Sequence, residues 1–290
     1  MLTILFDGIA YGMLLFILAV GLSVTMGLMN FINLAHGAFA MFGGYLTVYL
    51  MQDLGVPFLV CLPLAFVGTA LVGALFERTL YRPMYAKPHL DQVLFTIGLT
   101  FMAVASADFF MGSRQQIIQL PAWLSGRTEW FGGALGMGHY RLFIIAVCAA
   151  LTVALQFVLS RTRFGSRLRA SVDDPRVAAG LGINVNLVFA ATFAVGSGLA
   201  GLGGALGAEV LGLDPIFPLK FLVYFLIVVA VGGTSSITGP WLAALLLGIA
   251  DVAGKYYIPK LGAFIVYTLM IMLLLWRPHG LFSRVGGSGK

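Results

Sequence analysis

The chain is 290 residues long, 60 % hydrophobic and only 10 % charged, where soluble domains run at roughly 45–50 % and about 25 %. That balance excludes a soluble globular domain and defines an integral membrane protein. The net charge of +6 is no sign of nucleic acid as a partner, because the basic residues are scattered over loops with no aromatic platform among them.

Apolar runs of about 20 residues, the length that crosses a bilayer as a helix, recur from end to end. No segment between them is long enough to fold separately, and no low-complexity tract intervenes. The expected fold is an all-α integral membrane bundle of eight to ten spans, forming one domain over residues 1–290. Spans are expected at 8–28, 36–52, 57–76, 93–111, 142–160, 185–207, 219–236, 240–254 and 261–276. Gly and Pro interrupt several of these runs. Half-spans are the alternative there, since irregular backbone is tolerated inside protein or along a water-filled cavity.

The first run opens MLTILFDGIAYG. It lacks a positive n-region and continues past the roughly 7–15 residues of a cleaved signal's apolar core, so it is expected to remain as a span. At its far end NFINLAHGAFAMFGGY, Asn30 to Tyr45, sets Asn30, Asn33 and His36 among small residues that let backbones pack closely. Two readings stand. Either the three form a bend near the inner gate of a pathway, or the asparagines satisfy backbone groups freed at a helix end while His36 sits at the headgroup interface. A metal centre is not expected, because no second His, Cys or carboxylate stands at ligand spacing.

Cys61 and Cys148 lie far apart inside apolar runs and read as buried free thiols. An aspartate at mid-span costs roughly 2.5–3.5 kcal/mol on insertion scales, so neither Asp108 nor Asp251 is expected to face lipid. Lys255 follows Asp251 at a spacing that permits an ion pair. The glycines Gly196, Gly198, Gly201, Gly203, Gly204 and Gly207 are expected to give one span a smooth face, with Gly203 and Gly207 in a GxxxG relation. Close helix packing is one reading of that face. A passage for substrate is the other, which makes Gly203 and Gly207 pathway candidates beside Asn30, Asn33 and His36.

Orientation follows from the 17 Lys and Arg. Eleven of them fall in one set of loops, around Arg78 to Lys87, Arg161 to Arg176 and Arg277 to Lys290, and six in the other. The positive-inside rule puts the richer set in the cytoplasm, the N-terminus outside and the C-terminus inside. The opposite loops, GSRQQIIQLPAWLSGRTEWFGG and GLDPIFPL, carry Trp123, Trp130, Pro215 and Pro218. Seating an external binding protein and anchoring at the interface are equally open for them.

The segment RTRFGSRLRASVDDPRVAAGLGIN, Arg161 to Asn184, is the most polar of the chain. Asp173 or Asp174 suits an N-cap, Pro175 the first helical position and Gly182 a stop, which predicts a short helix. A docking handle and an ordinary connector whose arginines set topology are the alternatives.

This loop, running on into NLVFAATFAVGSGLAGLGGAL, resembles the cytoplasmic loop of the permease subunits of branched-chain amino acid ABC transporters, the LivH type. Arg169, Ala170, Asp174, Ala179, Gly182 and Ile183 fall where that family's pattern has them. So do GLSVTMGLMNFINLAHGAFAMFGGY, the turn VGGTSSITGP from Val231 to Pro240, and WRPHGLF from Trp276 to Phe282. The similarity covers most of the chain in the right order.

The resemblance implies the membrane subunit of a binding-protein-dependent importer in a bacterial-type inner membrane. It implies a second homologous permease subunit, two cytoplasmic ATPase subunits that bind the ATP, and an extracytoplasmic substrate-binding protein. The 161–184 loop would dock on an ATPase, with no cofactor and no catalytic residue in this chain. The ending VGGSGK does not make a phosphate-binding loop, since Arg284 stands where that pattern has its first Gly, and is read as a flexible tail.

Permeases for urea or short amides share the same pattern and are the nearest alternative. An ion-coupled secondary transporter would need coupling-ion sites of its own. An intramembrane hydrolase would need GxSxG or HExxH, and neither occurs.

Overall fold

The computed structural model describes residues 1–29, 31–130, 135–233 and 236–276. Among the described residues, nine apolar helices correspond to the nine expected spans: α1 (Leu2–Met29), α2 (His36–Gln52), α3 (Phe58–Phe76), α4 (His89–Met111), α5 (His139–Arg161), α8 (Val185–Leu211), α9 (Phe217–Gly232), α10 (Thr238–Tyr257) and α11 (Gly262–Trp276). Five helical stretches, Leu2–Gly27, Phe58–Met84, His89–Met111, His139–Arg161 and Val185–Leu211, are long and apolar enough to cross a bilayer. Phe217–Gly232 and Phe264–Trp276 are apolar but shorter.

The bundle is built around α1. Every side chain from Leu14 to Val20 is fully buried, as a helix that is apolar on all sides should be. It packs against α10, α8, α5 and α9, while α8 also packs against α2 and α3. The outer helices keep bare apolar faces, with Leu71 of α3, Phe109 of α4 and Val153 of α5 exposed. Cys61 and Cys148 are buried and unpaired.

Three features depart from the expectation. The long loop between α4 and α5 contains a small antiparallel hairpin, β1 (Arg127–Trp130) with β2 (Leu135–Gly138), so the fold is not wholly helical. The hairpin leans on the start of α1, where Gly136 N donates to Thr3 Oγ1 at 3.1 Å. A bridge from Gln116 to Leu213 joins the same loop to the segment after α8.

The second departure is the stretch from Glu77 to Met84, expected to be a loop, which continues α3 through a π turn (Glu77–Tyr81) and a 3₁₀ turn (Arg82–Met84). The third is that the polar 161–184 segment holds two helices, α6 (Arg163–Asp173) and α7 (Pro175–Gly180).

Candidate functional site

At the turn from α1 into α2, Asn33 and His36 are buried at 1 % and 2 % exposure. Tyr81, on the π turn, donates its hydroxyl to Asn33 Oδ1 at 3.2 Å. The Asn33 amide nitrogen is buried without a partner among the described residues. His36 Nε2 lies 2.9 Å from the Leu18 carbonyl oxygen, and the ring meets Phe225 edge-on at 6.3 Å.

The headgroup position expected for His36 is therefore wrong. Gly21 leaves room for the imidazole and Gly37 lets α2 start against Pro218, so the turn is drawn into the bundle and the histidine ties α2 to the middle of α1. Asn30 lies outside the described residues.

A polar ladder, absent from the candidate residues read from the sequence, clamps this turn. On α4, Gln92, Thr96 and Thr100 are all buried. Ile32 N donates to Gln92 Oε1 and Leu34 N to Thr96 Oγ1, each at 3.3 Å, and Thr100 Oγ1 donates to Leu34 O at 3.4 Å. These bonds satisfy backbone groups that have no helix of their own, which buried backbone requires. The signal was present in the sequence: three polar residues, each four after the last, form one stripe on an otherwise apolar span.

Around Tyr81 the rings of Phe193, Phe31 and Phe95 stand at 4.6, 5.5 and 5.7 Å. Tyr85 donates to Glu77 at 3.1 Å across the π turn. Above this aromatic plug α2, α3 and α4 separate around an apolar cleft of about 540 Å³, running from Phe39 and Tyr81 to Tyr45 and Phe110.

The six glycines of α8 do not form a single face. Gly196 and Gly203 turn to α1, where a side chain would meet Gly21 and Leu18, and a side chain at Gly207 would meet Leu211 of α8 itself before Leu14 of α1. Gly204 turns to the Ala40 carbonyl of α2, and Gly198 and Gly201 turn to Phe66 and Thr69 of α3. Gly203 and Gly207 are both buried, Gly203 against Leu18 of α1 and Gly207 beside Leu211 and Leu14.

Near the same end of α1, where Ser23 and Val24 face Leu168 and Arg169 across a small cleft, α6 and α7 form the polar loop. Thr162 caps α6 by accepting from Gly165 N at 3.5 Å, and Gly165, Leu168 and Ser171 are the buried stripe that seats α6 against α5, α8 and α1. Arg169 Nη1 donates to the Leu159 carbonyl at the end of α5, at 2.5 Å. Asp174 caps α7 through Oδ1, which accepts from Arg176 N at 2.9 Å and Val177 N at 3.0 Å.

Ala178 is buried, whereas Ala179 is exposed, as are the apolar side chains of Val177 and Leu181. Gly182, at φ +82°, reverses the chain, and Ile183 N closes the turn by donating to Ala178 O at 3.1 Å. A side chain at that φ would be strained. The result is a small surface with apolar knobs and charged rims, rigidly joined to α5 and α8.

Many apolar helices around a buried polar turn define a polytopic membrane protein. A family model described as the permease component of the branched-chain amino acid transport system matches residues 4–274. The chain belongs to that family.

It is 27 % identical to the high-affinity branched-chain amino acid transport system permease protein LivH of Escherichia coli K12, over 97 % of this chain and 94 % of the relative. It is 27 % identical to the corresponding BraD of Pseudomonas aeruginosa, over 97 % and 95 %. It is 26 % identical to LivM of Salmonella typhimurium, over 93 % of this chain and 68 % of that protein. No solved structure matches the chain.

Proposed function

We propose that this chain is the membrane-spanning permease subunit of an ATP-driven, binding-protein-dependent importer for branched-chain or related amino acids. The observation that carries the reading is the α6–α7 loop. Its exposed Val177 and Leu181 sit on a frame fixed by the Asp174 cap and the Arg169 bond to α5, on a chain whose family is a permease component.

In this reading the nine apolar helices are the spans of one permease domain, which supports a count between eight and ten. The N-terminus lies outside, the C-terminus and α6–α7 in the cytoplasm, in a bacterial-type inner membrane. A homologous second permease, two ATPase subunits and an external binding protein complete the importer. ATP-driven closure of the ATPases reaches the bundle through α6, which touches α1, α5 and α8. The buried turn at Asn33 and His36, plugged by Tyr81, is the inner gate.

The test is ATP-dependent uptake of radiolabelled leucine into proteoliposomes holding this chain with its partner subunits and binding protein. Uptake is expected from the wild type. Asp174→Ala removes a cap worth about 1 kcal/mol and is expected to lower uptake while the assembled complex survives. Uptake of urea and not leucine would overturn the substrate, and uptake by the chain alone without ATP would overturn the architecture.

A further inference from the structure

At the end of the bundle that carries the hairpin, α1, α5, α8 and α10 enclose a cavity of about 190 Å³. Asp7 of α1 pairs with Arg141 of α5 on its wall, and Asp251 of α10 pairs with Lys255 at 2.6 Å. Two acids and two bases line one small space, and the rest of the wall is apolar apart from the Tyr11 hydroxyl, with Ala10, Leu14, Ile144, Val210 and Val252.

The remaining hydrogen-bonding capacity of these groups is specific. Asp7 Oδ1 is buried and has no partner among the described residues. Arg141 meets Asp7 through Nη1, and its other N–H donors, of the five it carries, have no partner among the described residues. Lys255 spends one contact on Asp251 and lies 5.7 Å over the Tyr11 ring. Asp251 itself is complete, since Tyr224 donates to its Oδ1 at 3.0 Å, so it holds Lys255 in place. What is left over is one acceptor for a cation and several donors for an anion, beside an apolar wall.

We propose that this cavity is a solute site for a zwitterionic amino acid with an aliphatic side chain. Its α-ammonium meets Asp7 Oδ1, its carboxylate takes the free donors of Arg141 and Lys255, and its side chain lies on Leu14, Ile144, Val210 and Val252. The wall has no net charge, so a solute carrying both charges enters without leaving one unbalanced, whereas a solute with only one does not. Urea can hydrogen-bond at either end, but it forms no ion pair and has no side chain to place on the apolar wall. The choice of solute rests on the importer reading above; the site itself rests on the cavity.

The test is binding of tritiated L-leucine to the full chain in lipid nanodiscs. Saturable binding is expected, competed by unlabelled leucine but not by 4-methylpentanoate, 3-methylbutylamine or urea. Asp7→Asn is expected to weaken binding about ten-fold or more, because the acceptor that remains is no longer charged. Ala10→Leu fills the cavity without touching a charge, and is expected to abolish binding while the melting temperature stays at or above the wild-type value. Absence of saturable binding, equal competition by either singly charged analogue, or wild-type affinity in both variants would overturn the site. Uptake by the reconstituted importer without binding to the chain would remove this inference alone, and binding without ATP-dependent uptake would remove the importer reading and leave the site.

Discussion

Two spans of this bundle, α8 and α4, are attached by opposite means. In the most apolar stretch of α8, 61 % of the residues are buried, against 17 % in α4. Glycines let α8 press its backbone onto three neighbouring helices, where van der Waals packing supplies the association that lipid cannot. Helix α4 meets the bundle chiefly at one end, through Gln92, Thr96 and Thr100, and beyond that end the apolar cleft separates it from α2 and α3. Close packing has no second arrangement at similar free energy, but a few hydrogen bonds can be exchanged for others. Helix α8 is therefore held by close backbone approach to three neighbours, and α4 by a short polar ladder.

The largest expected effect breaks the fixed side. In Gly204→Val the new side chain runs into the Ala40 carbonyl, and backbone on both sides leaves no room to relax. Overpacking costs roughly 1–3 kcal/mol and more where nothing yields, and about 3 kcal/mol or more is expected here. Thermal unfolding of the purified chain in detergent measures it. A variant as stable as the wild type would mean that α8 is not held by close approach.

A smaller effect separates the two attachments. Thr96→Val removes the acceptor for Leu34 N, which leaves a buried donor unmade at a cost of about 1–3 kcal/mol. Hydrogen exchange is expected to quicken over residues 31–35 and the first half of α4, with α8 unchanged. Loss of protection reaching α8 would show that the ladder and the glycine core form one cooperative unit.

Local signals were readable from the sequence and distant ones were not. The α7 helix follows from Asp174, Pro175 and Gly182 alone, since a cap, a first-turn proline and a stop are neighbours in the chain. The preceding α6 was as readable, because Thr162 caps it and Gly165, Leu168 and Ser171 repeat every three residues, but its arginines disguised it as a connector. The glycines of α8 were also available: at about 100° per residue, Gly196, Gly203 and Gly207 fall in one sector, and Gly204, Gly201 and Gly198 pass progressively around the helix. His36 differs. Its partner is a backbone carbonyl on another helix, and backbone acceptors leave no trace in residue identity. The π turn that brings Tyr81 to Asn33 is equally silent, because Glu77, Arg78, Thr79, Leu80 and Tyr81 would serve in any helix.

The smallest expected effect sharpens the free side of the comparison. Phe109 on α4 is 82 % exposed, so Phe109→Leu exchanges one lipid-soluble side chain for another, and a change within about 0.5 kcal/mol is expected for the isolated chain. A loss well above that in thermal unfolding would show that α4 rests on the bundle more closely than its single polar ladder allows. The same variant then reads the assembled importer. If α4 faces only lipid, leucine uptake stays at the wild-type rate; if its bare face meets the second permease, assembly weakens while the isolated chain remains as stable as before. The distinction is available because lipid accepts either side chain, whereas a packed protein interface registers the change of shape.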